Sequence, residues 1–228
     1  CAPIAALHGH VRWLLPRCDY VFLPISLERK TAAKGRRRQY CYYTQYAPAL
    51  VRAAVGPDDA KRILTPLVHY LYPEFNAKAQ LYRTLASIRP GIGFFDVAGA
   101  YDKAAAAHHA ACARWRRLYR ERIEKSGEIH VVLLGRPYMV FSEEMNKGIP
   151  GILGALGVQA FTQDMLDADK QAEAVIAPLL KEIHWRYAAK ILAAAAIVAR
   201  TPGAYPVFLT SFKCSPDSFI IDYFRKIM

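Results

Sequence analysis

No two of the five cysteines in this 228-residue sequence are spaced as CxxC, which excludes a zinc ribbon and a ferredoxin-type cluster run. Their count is odd, their spacing is irregular, and no basic-then-apolar leader precedes them. Reduced thiols are therefore expected rather than a disulfide framework. The phosphate-cradling pattern GxxxxGKS/T, the dinucleotide fingerprint GxGxxG and the nucleophile elbow GxSxG are all missing. A P-loop ATPase, a fingerprint-type dinucleotide fold and an elbow hydrolase are thereby set aside. No apolar run reaches membrane-spanning length; the stretch 192–199 is bounded by Lys190 and Arg200. Acid is scarce, with 19 Asp and Glu against 31 Lys and Arg, and the formal net charge is +12. Such an excess points to an anionic partner: a nucleotide, coenzyme A, nucleic acid or an acidic protein face.

What remains is a globular composition, 54% hydrophobic and 22% charged, long enough for one large or two small domains. The sequence opens on Cys1 rather than Met and reads as a piece of a longer protein. Part of its charge is local, in Arg29, Lys30, Lys34, Arg36, Arg37 and Arg38. This run reads as a solvated basic loop, or, with Tyr40, Tyr42 and Tyr43 beside it, as a surface on which bases could stack. No nucleic-acid motif accompanies it.

Apolar spacing predicts helices over 3–16, 46–55, 75–88, 95–125, 150–156, 172–199 (in one or two pieces) and 216–226. Strands are predicted at 20–23, 129–134, 158–161 and 205–210, with 62–67 a weaker candidate and Gly135-Arg136-Pro137-Tyr138 a loop. Alternating strands and helices imply an α/β fold of Rossmann-like lobes, with mainly parallel sheets and helices on both faces. The expected organisation is a first lobe over 1–94, open to completion by the C-terminal segment, a connecting helix over 95–127 and a second lobe over 128–228. One sheet built from 21–23, 129–134, 158–161 and 205–210 is expected, with ligands beyond the carboxyl ends of its strands.

Two cysteines stand two residues before a proline at the head of a helical stretch, in Cys1-Ala2-Pro3 and Cys214-Ser215-Pro216. Proline is tolerated in a first helical turn, where its missing amide would lack a partner, so each sulfur is placed at a helix N-terminus. Free amides and the helix dipole favour a thiolate there. With Cys41 in a third, aromatic segment, the three read either as ligands gathered from distant segments or as small buried hydrophobes. Cys18 and Cys112 read as core. His8 and His10 diverge by about 200° on a helix, and His108 and His109 do not share a face, so neither pair is read as a metal site. Arg136, with Tyr138, could grip a carboxylate or phosphate, or could pair a nearby acid within a structural turn.

Taken together, several segments resemble one family. They are Cys1-Ala2-Pro3 with His8-Gly9-His10-Val11, Asp19-Tyr20-Val21-Phe22-Leu23-Pro24 and Cys41-Tyr42-Tyr43-Thr44-Gln45-Tyr46. Leu134-Gly135-Arg136-Pro137-Tyr138, Asn146-Lys147-Gly148-Ile149-Pro150 and Ile183-His184-Trp185-Arg186-Tyr187 follow. The last runs from Tyr205-Pro206-Val207-Phe208-Leu209-Thr210 into Cys214-Ser215-Pro216-Asp217. The chain is similar to the cysteine-bearing module of fused CoA-substrate-specific enzyme activases, related to 2-hydroxyacyl-CoA dehydratase and benzoyl-CoA reductase subunits. The resemblance implies an iron–sulfur cluster, [4Fe-4S] or double-cubane, held by Cys1, Cys41 and Cys214. It further implies low-potential electrons delivered by an ATP-dependent activase of the actin/hexokinase type, an acyl-CoA-like substrate and a cytoplasmic setting. No membrane or nucleic-acid partner is expected, and a homodimer is left open. The competing expectation is a cluster-free scaffold, or a domain of a larger fused activase that binds an anion or an acidic partner. Lys213 and Ser215 flank Cys214 where that family carries glycine.

Overall fold

A computed structural model describes residues 2–29, 38–126, 129–211 and 214–228. The chain forms two compact units, Cys1–Ala106 and Ala107–Met228, and their division falls within one long helix.

In the first unit, α1 (Ala2–Leu14) lays Leu7, Val11 and Leu14 against Val21, Val51 and Ile63, which form its core. Strand β1 (Val21–Phe22) pairs in parallel with β3 (Ile63–Leu64), and β2 (Ile25–Ser26) with β4 (Leu67–His69). These are two halves of one interrupted ribbon. Amides of Val21, Leu23, Ile25 and Leu27 donate in turn to carbonyls of Arg62, Leu64, Pro66 and His69, at 2.8–2.9 Å. Pro66 has no amide to give back across the ribbon and interrupts it between the two pairs of strands. The weakly predicted strand at 62–67 is thus a pair of short strands. The 20–23 segment hydrogen-bonds to them, rather than to the 129–134 strand as expected.

Helix α2 (Tyr42–Ala53) starts four residues before the predicted 46. The Cys41 carbonyl accepts amides of Thr44 and Gln45, and the Gln45 side chain donates back to the Tyr40 carbonyl at 2.6 Å. This closes the first turn despite the β-prone tyrosines. Helices α3 (Pro57–Lys61) and α4 (Glu74–Ala86) follow. Arg62 then staples the unit: its guanidinium donates to the carbonyls of Leu15, Cys18 and Asp19 and to the Asp59 carboxylate. One five-donor fork so fixes the turn from α1 to β1. Helix α5 (Phe94–Ser126) is a single helix of 33 residues.

The second unit is built on a three-stranded parallel sheet of order β6-β5-β7. Strand β5 (His130–Gly135) is central and buried at every residue. It pairs with β6 (Gln159–Thr162) and β7 (Ala204–Leu209). Val131 and Leu133 face α6 (Pro137–Phe141), α7 (Glu143–Asn146) and α8 (Ile149–Ala155). Val132 and Leu134 face the larger core of α9 (Lys170–Val175), α10 (Ala177–Glu182), α11 (Arg186–Val198) and α12 (Ser215–Ile227). Coverage on both faces is what an unbroken apolar strand requires. The predicted 172–199 helix is three pieces. Pro178 lies in the first turn of α10 and cannot continue α9, and the chain is extended at Ile183 before α11. Among the described residues no helix is long and apolar enough to cross a membrane.

Gly135 and Gly151 should respond oppositely to alanine. A Cβ at Gly135 would stand 2.5 Å from the Leu209 carbonyl oxygen on neighbouring backbone, whereas one at Gly151, in α8, meets nothing within 4 Å. Gly135→Ala is expected to lower stability by roughly 1–3 kcal/mol. Gly151→Ala should raise it by about 0.5–1 kcal/mol, with denaturant midpoints followed by circular dichroism reading both.

Candidate functional site

At the carboxyl end of β5 the chain turns at Gly135, whose amide and carbonyl are both held by the buried Gln163 side chain, at 3.1 and 2.7 Å. Arg136 is extended and is the N-cap of α6, with Pro137 in the first turn. The Arg136 carbonyl takes the amides of Met139 and Val140. The predicted loop over 135–138 is therefore a helix start. Arg-Pro reads as a turn in sequence, but proline is equally at home at a helix's first position.

At the adjacent end of β7, Thr210 and Ser211 lead to Cys214, the N-cap of α12. Arg136 and Asp217 form a buried ion pair, with side chains 5% and 0% exposed and Nε donating to Oδ1 at 2.7 Å. The Thr210 hydroxyl donates to the other carboxylate oxygen at 2.9 Å. One guanidinium nitrogen of Arg136, Nη2, is buried with no hydrogen-bond partner among the described residues. Burial works to lower the Arg136 pKa, but Asp217 and the nearby Cys214 outweigh it and the net direction is up. Arg136 is charged under all conditions of interest.

Cys214 is half-buried beside this pair. Burial pushes its thiol up, and the Arg136 charge and the Asp217 amide, which pull it down, offset that only in part. The thiolate expected from helix position alone is thus opposed by desolvation. Tyr138 is pushed up to about 12, chiefly by burial, against a hydrogen bond from the Ser211 hydroxyl that lowers it. It keeps its proton and is no base.

Arg136, Tyr138 and Cys214 thus share one electrostatic neighbourhood. Cys41 lies in the first unit, half-buried at the N-cap of α2. Cys1 lies outside the described residues, as do Lys30, Lys34, Arg36 and Arg37 of the basic run. Cys18 packs on the first unit's core and donates to the Leu14 carbonyl at 3.3 Å. Cys112 stands 3.7 Å from Nε2 of His108, one helical turn away. Among the described residues no group of three or more His, Cys, Asp or Glu side chains is gathered as for a metal.

Sequence reading missed Asp217, Thr210 and Gln163 as site residues. Asp217 carried a faint signal as an acid in the first turn of α12. Gln163 carried none.

Truncating one member of the ion pair leaves the other buried and alone, so Arg136→Ala should cost roughly 3–5 kcal/mol in denaturant unfolding. Arg136→Met with Asp217→Leu should recover most of that loss. Alkylation of Cys214, followed by peptide mass spectrometry, should show a half-maximal rate above the ordinary thiol range. Arg136→Gln removes the cation that favours the thiolate and should move that profile to still higher pH. An unmoved or lowered profile contradicts the assignment.

No curated protein and no solved structure matches the chain. One family does: the CoA enzyme activase uncharacterised domain matches residues 1–166, well over half of the sequence. The match takes in the whole first unit, β5, Arg136 and Tyr138, and it ends before Cys214. The chain belongs to this family of CoA enzyme activase domains.

Proposed function

We propose that the chain is a cytoplasmic iron–sulfur module of a CoA enzyme activase system, related to 2-hydroxyacyl-CoA dehydratase subunits. It receives low-potential electrons from an ATP-driven partner of the actin/hexokinase type and acts on an acyl-CoA-like substrate. The observation that carries the reading is Cys214. Its half-buried thiol caps α12 at the carboxyl end of a sheet strand, beside a buried guanidinium with a nitrogen to spare. Cys41 repeats the helix N-cap placement in the first unit. The donors suit the group, since soft thiolates are the usual ligands of such clusters and metal binding displaces a thiol proton outright. An iron–sulfur cluster, when bound, supplies low-potential one-electron transfer.

The chain's own residues have separate tasks in this reading. Cys1, Cys41 and Cys214 hold iron. Arg136 Nη2 is a fixed donor for a sulfur or an anion beside Cys214. Asp217 fixes the guanidinium and is itself held by Thr210. Tyr138 remains protonated and can donate. A second reading, a cluster-free scaffold that binds an anion, draws support from the Arg136–Asp217 pair, whose opposite charges meet directly and join β5 to α12.

Iron and acid-labile sulfide, measured after anaerobic purification and reconstitution, decide between the two. The wild type should carry both and show broad visible absorbance. Cys214→Ala should lose iron, while Cys18→Ala and Cys112→Ala should keep it. Wild-type protein without iron, or Cys214→Ala with a full complement, rejects the cluster reading.

A further inference from the structure

One cleft of the first unit has none of the candidate ligands of the proposed cluster among its lining residues. It has a volume of about 530 Å³, within the usual range for small-molecule sites. It opens beyond the carboxyl ends of the parallel strands β2 and β4, the position where α/β proteins take ligands. Arg29 follows β2, Tyr72 follows β4, and Phe75, Gln80 and Arg83 come from α4. Tyr101 of α5 adds a further aromatic wall.

Two properties set this cleft apart from ordinary surface. Its aromatic rings are exposed yet braced. Tyr72 is 56% and Phe75 64% exposed, while Tyr70 meets Tyr72 edge-on at 4.9 Å and Phe94 holds Phe75 at 5.6 Å. Rings held by neighbours but open to solvent on one face are ready-made stacking platforms. The cations Arg29 and Arg83, moreover, form no ion pair among the described residues, unlike Lys61, Arg62 and Lys78 in the same unit. Glu28 and Glu74 also line the cleft. Carboxylates repel a dense cluster of phosphates but accept hydrogen bonds from sugar hydroxyls.

We propose that this cleft binds a nucleoside diphosphate group, its base stacked on Tyr72 and Phe75, its phosphates on Arg29 and Arg83, and its ribose facing the two glutamates. Two sources carry that chemistry, a free nucleotide and a coenzyme built on one. Titration calorimetry of the whole chain with ADP and with coenzyme A separates them, since only the coenzyme adds a 3′-phosphate and a long arm.

Tyr72→Ala and Arg83→Gln alter exposed side chains, so folding should persist by circular dichroism. Each should weaken binding of the better ligand at least tenfold, whereas Cys112→Ala, which is outside the cleft lining, should leave it unchanged. Several outcomes overturn the proposal. They are failure of both ligands to bind at millimolar concentration, wild-type affinity in both cleft variants, and tripolyphosphate binding as tightly as ADP. A single-stranded oligonucleotide binding more tightly than either ligand does so as well, because the surface is then a polynucleotide interface.

Discussion

The second unit turns on one buried charge pair. Arg136 ends the central strand and Asp217 lies in the first turn of the last helix, 81 residues later. Neither side chain reaches water to any extent, so each charge is tolerated only because the other is there. The pair constrains what surrounds it. Thr210 must keep its hydroxyl on the carboxylate. Gln163 must hold the backbone at Gly135, because the strand end has to present Arg136 in an extended conformation at the head of α6. The close approach of Gly135 to the Leu209 carbonyl brings β5 and β7 to the same level. Cys214 sits where it does because α12 is docked by this ion pair and by the ring of Phe224 against Phe208.

The same pair sets the chemistry of the thiol. A helix N-terminus favours a thiolate, burial disfavours it, and at Cys214 burial is the larger effect. A thiol in that balance is protected while it stands alone and yields its proton to a metal, whose charge exceeds that of any helix end. A cysteine activated for nucleophilic attack needs the opposite balance, with a pKa well below the ordinary range. The electrostatics therefore argue against an activated nucleophile, and Tyr138, pushed up to about 12, adds no base.

Some of this was legible in the sequence, and the limits have physical causes. Strand β5 was plain because a strand buried on both faces is an unbroken apolar run. Helix starts at Cys214 and at Ile149-Pro150 were plain because proline marks a first turn. The first unit was harder: its strands are two or three residues long, interrupted at Pro66, and too short for any periodicity. Arg136 was legible as a residue of interest, but its acid partner was not, because nothing local marks a pairing across 81 residues. Arg62 escaped notice for the same reason, since its partners are backbone carbonyls of residues 15, 18 and 19, and carbonyls carry no sequence signature.

Both units carry their candidate sites at the same topological place, and the parallel strand explains why. Parallel strands return through helices, so all carboxyl ends lie on one edge and every loop there leads toward a helix N-terminus. In the second unit that edge gathers Arg136, Tyr138 and Cys214 over β5 and β7. In the first it gathers Arg29, Tyr72 and the α4 face over β2 and β4. The side chains then decide what each edge can hold. Where the strands are long and their ends buried, the edge admits a thiol and a fixed charge pair. Where the strands are short, the edge stays open, and the exposed rings gathered there, with arginines that form no ion pair among the described residues, suit a planar, anionic ligand that arrives from solvent.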